Sequence, residues 1–493
     1  MASNLQCAVA MDSTPYRGRA APLLAALVLA ASAACATNPA TGERQLALVG
    51  TEREIELGRE ADQQIVQQMG LYPDEDLQDY VAAVGRRLAA SSERPELPWT
   101  FRVLDDPVVN AFALPGGFVY LTRGILAHFG SEAEMAAVLG HEIGHVTARH
   151  GVEQMSRAQL ATLGLGIGMI LSPELRDYGS LAQTGLQLLF LKYGRADERQ
   201  ADDLGLRYVV RESYDPREMA SVFQTLERVS RAQGQGRLPN WLSSHPAPEA
   251  RAERVQQAVA ELPPGDARVG REELLAQLDG VVFGEDPRDG FFRGNTFYHP
   301  RMAFQVTFPT GWKASNQRQA VGAVSPEEDA VVVLSLAERG TPRDAAREFF
   351  AQSGVRQGDA WRGELGGTTA VAAQFLVARE QSDDIQGVAA FVARGERVFQ
   401  ILGFSTEPRW SRYSAATTGA IESFGPVTDR AVLDVEPRRI DLVTLRSGMT
   451  LREFERRHPS TVDLQTLALI NQVEPDEPLA AGRKVKRVVG GPG

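Results

Sequence analysis

Cysteine is almost missing from this chain. Cys7 and Cys35 are the only two in 493 residues, too few for a disulfide framework. Positive charge is also short: 52 Lys and Arg stand against 63 Asp and Glu, a net charge of −11. That balance argues against nucleic acid as a partner. Outside the N-terminus, no apolar run reaches the length of a membrane-spanning helix. At 493 residues the chain is too long for one core and should hold roughly two to four domains. Histidine is scarce as well, with 7 in the whole chain. Any regular spacing of two histidines is therefore informative.

Such a spacing occurs in Ser131 to His150, SEAEMAAVLGHEIGHVTARH. The stretch reads as one amphipathic helix, with Ser131 as N-cap and Glu134 completing a capping-box pattern. Met135, Val138, Leu139 and Ile143 recur at helical spacing and bury one face. His141 and His145 are four residues apart, a rotation of about 400°, so both imidazoles share a face roughly 6 Å apart. That separation suits two nitrogens about 2 Å from one zinc ion. Glu142 lies about 100° round from His141, close enough to reach water at the metal without becoming a ligand. By chance, H-E-x-x-H would arise here about one time in a hundred. A metzincin would need Gly at 148 and His at 151, where this chain has Ala148 and Gly151. His150, about 140° from His145 on the wheel, reads as a packing histidine bonded to nearby backbone.

The third ligand must come from elsewhere. On a second expected helix, Glu198 and Asp202 are four apart and share a face. They fit a carboxylate ligand followed by a carboxylate, Asp202, that orients a ligand histidine. Upstream, Asn110-Ala111-Phe112 leads through Pro115-Gly116-Gly117 into the β-rich Phe118–Thr122. An exposed strand beside a zinc helix is a means of holding an extended peptide by β-augmentation, and a Pro-Gly-Gly hairpin is compatible with it. Thr51–Met69 and Asp74–Ser92 read as helices and Trp99–Leu104 as a strand. Leu160–Leu171 and Leu181–Leu191 are apolar but each too short to span a bilayer. They read as core helices, with a membrane-facing hairpin as the alternative.

H-E-x-x-H followed by Y-x-R-x-x-E-x-x-A-D-x-x-G from Tyr193 to Gly205 resembles the HtpX and CaaX-prenyl-protease-like peptidases, family forty-eight of the metallopeptidases. So do N-A-F-x-x-P-G-G and Ser244-His245-Pro246 with Arg251, and the match covers about residues 40 to 265. The resemblance implies one zinc per chain, bound by His141, His145 and Glu198, with Glu142 as general base. It also implies that Asn110, His245 and Arg251 line a cleft for a polypeptide substrate, alongside Ala111 and Phe112. His245 or Arg251 would then stabilise an oxyanion, or His245 would close the zinc site in a latent state. Gly194, where Ser is usual, and Gln200, where Glu is common, depart from the family pattern.

At the N-terminus, Arg17 and Arg19 precede an apolar run from Ala20 to Ala34, as in an export signal. Ser32-Ala33-Ala34-Cys35 resembles a bacterial lipobox, so residues 1–34 are expected to be a lipoprotein-type signal and Cys35 the lipidated mature end. A plain signal peptide is the alternative, and Met11 is a candidate start. The expected localisation is periplasmic, anchored through lipid to a bacterial membrane, the outer one in this reading.

The chain is therefore expected to be multidomain. Residues 35–265 form a mainly α-helical zincin-type metallopeptidase domain with a small β-sheet, and 266–294 a linker containing one short helix. A small α/β domain spans 295–428, and its Phe308-Pro309-Thr310-Gly311-Trp312 resembles PsbP/Mog-like domains. Residues 437–490 resemble a βααβ LysM repeat, although Met449 stands where aspartate is usual. Such repeats bind N-acetylglucosamine polymers, which makes peptidoglycan an expected partner. Two other classes remain open: a non-proteolytic or latent envelope chaperone with a closed zinc site, and a peptidoglycan-processing factor.

Overall fold

The computed structural model describes residues 35–157, 193–233, 241–245, 248–262, 266–337, 340–379 and 382–491. The expected signal segment and both apolar stretches, 160–171 and 181–191, lie outside the described residues. No described helix is long and apolar enough to cross a membrane.

A short hairpin, β1 (Cys35–Thr37) with β2 (Arg44–Leu46), leads into helices α1 (Thr51–Met69) and α2 (Glu75–Ala90). Asp74 caps α2 by accepting from Leu77 N. A three-stranded sheet follows, ordered β3 (Thr100–Leu104), β5 (Phe118–Thr122), β4 (Ala111–Leu114), with β3 parallel and β4 antiparallel to β5. β4 is thus an edge strand. After the one-turn α3 (Arg123–Leu126) comes the histidine-bearing helix α4, Glu132–Thr147.

All sixteen residues of α4 are buried, so the expected single apolar face is corrected to a helix enclosed on every side. Ala133, Ala136, Ala137, Gly140 and Gly144 make this possible, because small side chains let neighbours approach from all directions. The partner with the tightest approach is α5 (Arg195–Arg211). A Cβ on Gly144 would stand 2.9 Å from Ala201 O, and one on Gly205 2.8 Å from His141 N. This crossing places the carboxylates of α5 against the histidines of α4. Helices α6 (Arg217–Gln233), α7 (Trp241–Ser244), α8 (Pro248–Ala260) and α9 (Arg271–Leu278) complete the body. Leu274 and Leu278 of α9 join the core around α4, so the stretch read as linker contains a helix packed into that core.

The helix ends earlier than its sequence suggested. The single helix expected to His150 stops at Thr147, and Arg149 adopts φ +60°, a left-handed conformation that strains a residue with a Cβ. Glu54 and the carbonyl of Val49 hold its guanidinium, at 3.0 and 2.7 Å. A second helical stretch, 150–157, starts beyond this turn.

Downstream lies a seven-stranded antiparallel sheet with Val355–Leu365 and Lys313–Gln317 at its edges, beside a four-stranded sheet begun by Phe291–Arg293. Its core is Phe, Val and Ala, including Phe391 and Phe399. At the C-terminus, Arg438–Thr444 and Lys484–Gly490 pair antiparallel, with helices Leu451–Arg457 and Leu464–Asn471 between them in βααβ order. This unit grips the body: buried Lys486 Nζ donates to Ala127 O and Phe129 O at 2.9 and 2.6 Å. Gln472 donates to His128 O and to Glu134 Oε2, in the first turn of α4.

Candidate metal centre

His141, His145, Glu198 and His245 converge, each offering an atom within 4.8 Å of the others, and all are buried. The Nε2 atoms of His141 and His145 are 3.0 Å apart, and His141 Nε2 is 3.2 Å from His245 Nδ1. Glu198 Oε1 is 2.9 Å from His245 Nδ1 and 3.5 Å from His145 Nε2. Bonds of about 2.0–2.1 Å in a tetrahedron require donors about 3.3 Å apart. Three imidazoles and a carboxylate at these spacings fit a zinc ion.

What surrounds the donors fixes their charge. Asp202 Oδ1 lies 2.9 Å from His141 Nδ1, leaving Nε2 free to face the cluster. Burial works against charge on Asp202, but Arg251 and the hydrogen bond from His141 hold it well below the usual carboxylate range. Glu198 is likewise held low against its burial by His245, His145 and Arg251. Arg251 reaches both, 2.7 Å from Asp202 Oδ1 and 2.7 Å from Glu198 Oε2. Its guanidinium is buried behind the ligands, over the rings of Phe223 and Trp241 at 4.4 and 4.8 Å. This is a charge-holding position behind the donors, in contrast to the oxyanion contact offered for it from sequence. Burial, followed by the charge of Arg251, pushes His141 down to about 3, which keeps it neutral and able to ligate.

Glu142 is the exception in this network. It is wholly buried, yet neither oxygen has a hydrogen-bond partner among the described residues. Burial raises its carboxyl to about 7. The indole N–H of Trp241, which likewise has no hydrogen-bond partner among the described residues, pulls that value down without reaching hydrogen-bond geometry. His245 Nε2 lies 3.5 Å from Glu142 Oε1, so His245 faces the donor cluster with one nitrogen and Glu142 with the other.

The remaining expected residues divide. Asn110 leads into β4, and its Oδ1 is a buried atom without a hydrogen-bond partner among the described residues. The carbonyl of its neighbour Val109 accepts from Trp241 N, which ties the strand to the turn carrying His245. The side chains of Ala111 and Phe112 lie in two apolar clusters, Phe112 stacked on Tyr120 at 4.7 Å. They offer a peptide their backbone alone. Asp197 Oδ2 accepts Gly194 N–H at the start of α5, away from the cluster. Cys35 lies in β1.

A profile of Peptidase family M48 matches residues 75–259. Those residues are an M48 peptidase domain. This chain is 35% identical over 171 residues to "Mitochondrial metalloendopeptidase OMA1" of Arabidopsis thaliana, covering 34% of this chain and 33% of that one. It is 30% identical over 222 residues to a "Putative beta-barrel assembly-enhancing protease" of Vibrio cholerae, covering 42% of this chain and 46% of that protein. The chain thus spans a third to a half of the length of these relatives. A cyanobacterial PsbP structure from Synechocystis sp. PCC 6803 aligns with 27% of this chain and 91% of its own, at 13% identity and a TM-score of 0.24.

Several site residues carried no readable signal. Tyr193 stacks on His145 at 3.9 Å and Trp241 on His245 at 4.9 Å. Tyr193 stood in the M48 pattern without a role, and Trp241 stood in no quoted motif. His150 is a correction: it bonds the side chains of His145 and Gln200, at 2.9 and 2.7 Å, where backbone bonding was expected.

Proposed function

We propose that this chain is a zinc-dependent metalloendopeptidase of the bacterial cell envelope. The observation that carries the reading is the four-donor cluster beside the buried carboxylate of Glu142, which has no hydrogen bond among the described residues. A zinc ion that only braced the fold would need no such carboxylate. When bound, zinc supplies a Lewis acid that polarises the scissile carbonyl and acidifies water. His141, His145 and Glu198 hold it. Glu142 accepts a proton from the attacking water and returns it to the leaving amine. β4, an edge strand among the described residues, would align an extended peptide through backbone hydrogen bonds. Replacement Glu142→Gln tests this directly: zinc content stays and peptide hydrolysis falls by roughly 10²–10⁴-fold. Hydrolysis at the wild-type rate would refute it.

A second state is favoured by the place of His245. With Nδ1 among the donors, His245 would serve as a fourth ligand and keep water from a bound metal, a latent form of the enzyme. In this reading His245→Ala raises basal proteolysis with zinc retained. A lower rate with zinc retained would give His245 a catalytic role instead.

The envelope reading draws on the lipobox-like Ser32–Cys35 and on the name of the Vibrio relative, which supports misassembled envelope proteins as substrates. Lipidation at Cys35 predicts that Cys35→Ser releases a membrane-bound protein into the soluble fraction. The βααβ order of the C-terminal unit supports a LysM-like peptidoglycan contact, which pull-down on purified sacculi would test.

A further inference from the structure

The two histidines of α4 are held from behind by different devices. His141 leans on the charged Asp202, but His145 leans on a neutral chain that no motif marks. His145 Nδ1 is 2.9 Å from His150 Nδ1, and His150 Nε2 is 2.7 Å from Gln200 Oε1. The same oxygen lies 3.4 Å from Asn38 Nδ2. Asn38 is itself locked: its Oδ1 accepts from Ala40 N and Thr41 N, and its Nδ2 also donates to Ala148 O at 3.2 Å. His145, His150 and Asn38 are buried.

Hydrogen positions along this chain follow from the metal. If Nε2 of His145 ligates, its Nδ1 carries the proton and must donate. His150 Nδ1 is then the acceptor, so His150 keeps its proton on Nε2 and donates to Gln200 Oε1. Asn38 supplies the second donor to that oxygen and fixes the amide. Every donor faces an acceptor only in this one arrangement. The turn at Arg149 makes it possible, because on a continuous helix His150 would point away from His145.

The structure assigns His150, Gln200 and Asn38 as positioning residues for metal binding, a relay through which the N-terminal hairpin orients ligand His145. This rests on the metal site proposed above. The consequence is that docking of residues 35–46 sets zinc affinity, although none of them touches the metal.

The test is zinc affinity of the full chain by chelator competition, with thermal unfolding of the metal-free protein as the fold control. His150→Leu removes both hydrogen bonds and should weaken zinc by roughly 10–100-fold, as changes behind a ligand do. His150→Gln, with one acceptor and one donor, should restore most of that affinity, which a purely space-filling role would not favour over Leu. Asn38→Ala should weaken zinc in the wild-type background and have no further effect on top of His150→Leu, since both act through one path. If His150→Leu does not fold, Gln200→Leu takes its place in the same cycle. Zinc bound as tightly by His150→Leu as by wild type would overturn the relay, as would independent, multiplying effects of Asn38 and His150. A wild-type protein that binds no zinc would refute the metal site itself.

Discussion

The core around α4 and the core of the seven-stranded sheet use the same apolar residues and differ in what else they enclose. Around α4 are buried Glu54, Asp62, Glu132, Glu134, His141, Glu142, His145, His150, Glu198, Asp202 and Arg251. Among the described residues from 290 to 427, the sheet region buries only His299, Ser325, Ser405 and Thr417 of the polar types. Enclosing a charge costs several kcal/mol unless it is paired, so a fold does not gather charges for stability alone. Most of those around α4 are paired: Glu54 with Arg94 and Arg149, Asp62 with Arg102, Glu132 with Arg87 and Arg268. Glu142 is not. The contrast supports the proposed role of Glu142, whose carboxylate has no hydrogen-bond partner among the described residues.

The comparison can be broken most severely at the ligand itself. Glu198→Ala should release zinc and abolish hydrolysis, while Asp197→Ala should leave metal content unchanged, because Asp197 caps α5. Elemental analysis of the two variants separates them, and zinc loss from the Asp197 variant would overturn the assignment. An apolar truncation in the sheet should do the reverse. Phe391→Ala, at a fully buried position, should cost about 3–5 kcal/mol of unfolding free energy yet leave zinc affinity intact. Denaturant unfolding and chelator competition on that one variant check both halves. Asp202→Ala should fall between, weakening zinc by roughly 10–100-fold without releasing it at saturating metal.

The smallest expected effect concerns pH. Burial raises Glu134 to about 7 from its ordinary 4.5, against hydrogen bonds from Gly130 N and Gln472 and with Glu218 adding to the rise. A folded value above the unfolded one means the group stabilises fully below pH 4.5, and that contribution is lost as pH rises to about 7. Thermal unfolding across this window should therefore show the wild type losing stability relative to Glu134→Gln as pH rises. Parallel curves would show that Glu134 is not held neutral by the fold.

The chemistry was legible wherever it depends on spacing along one helix. His141, Glu142 and His145 share a turn, as do Glu198 and Asp202, and helical geometry alone fixes which of them face together. The helices over Thr51–Met69 and Glu75–Ala90 were legible too, from local periodicity and composition, whereas Arg217–Gln233 and Pro248–Ala260 were not foreseen as helices. Val355–Leu365 was not legible as a strand, because its exposed, charged and glycine-bearing pattern carries no apolar alternation, and it pairs only because its neighbour Thr368–Val377 is a strand.

What belongs to tertiary structure alone is everything set by approach between distant segments. The end of α4 at Thr147 depends on Arg149 being held by Glu54 and Val49, about a hundred residues earlier. Only that turn brings His150 back to His145. Asn38, Gln200, Trp241 and Arg251 enter the site from four separate parts of the chain, so no local period could have grouped them. Local spacing alone marked the side chains proposed to bind the metal and to take the proton. The close crossing of α4 and α5 over Gly144 and Gly205 decided that they meet, because backbones approach that closely only where no side chain intervenes.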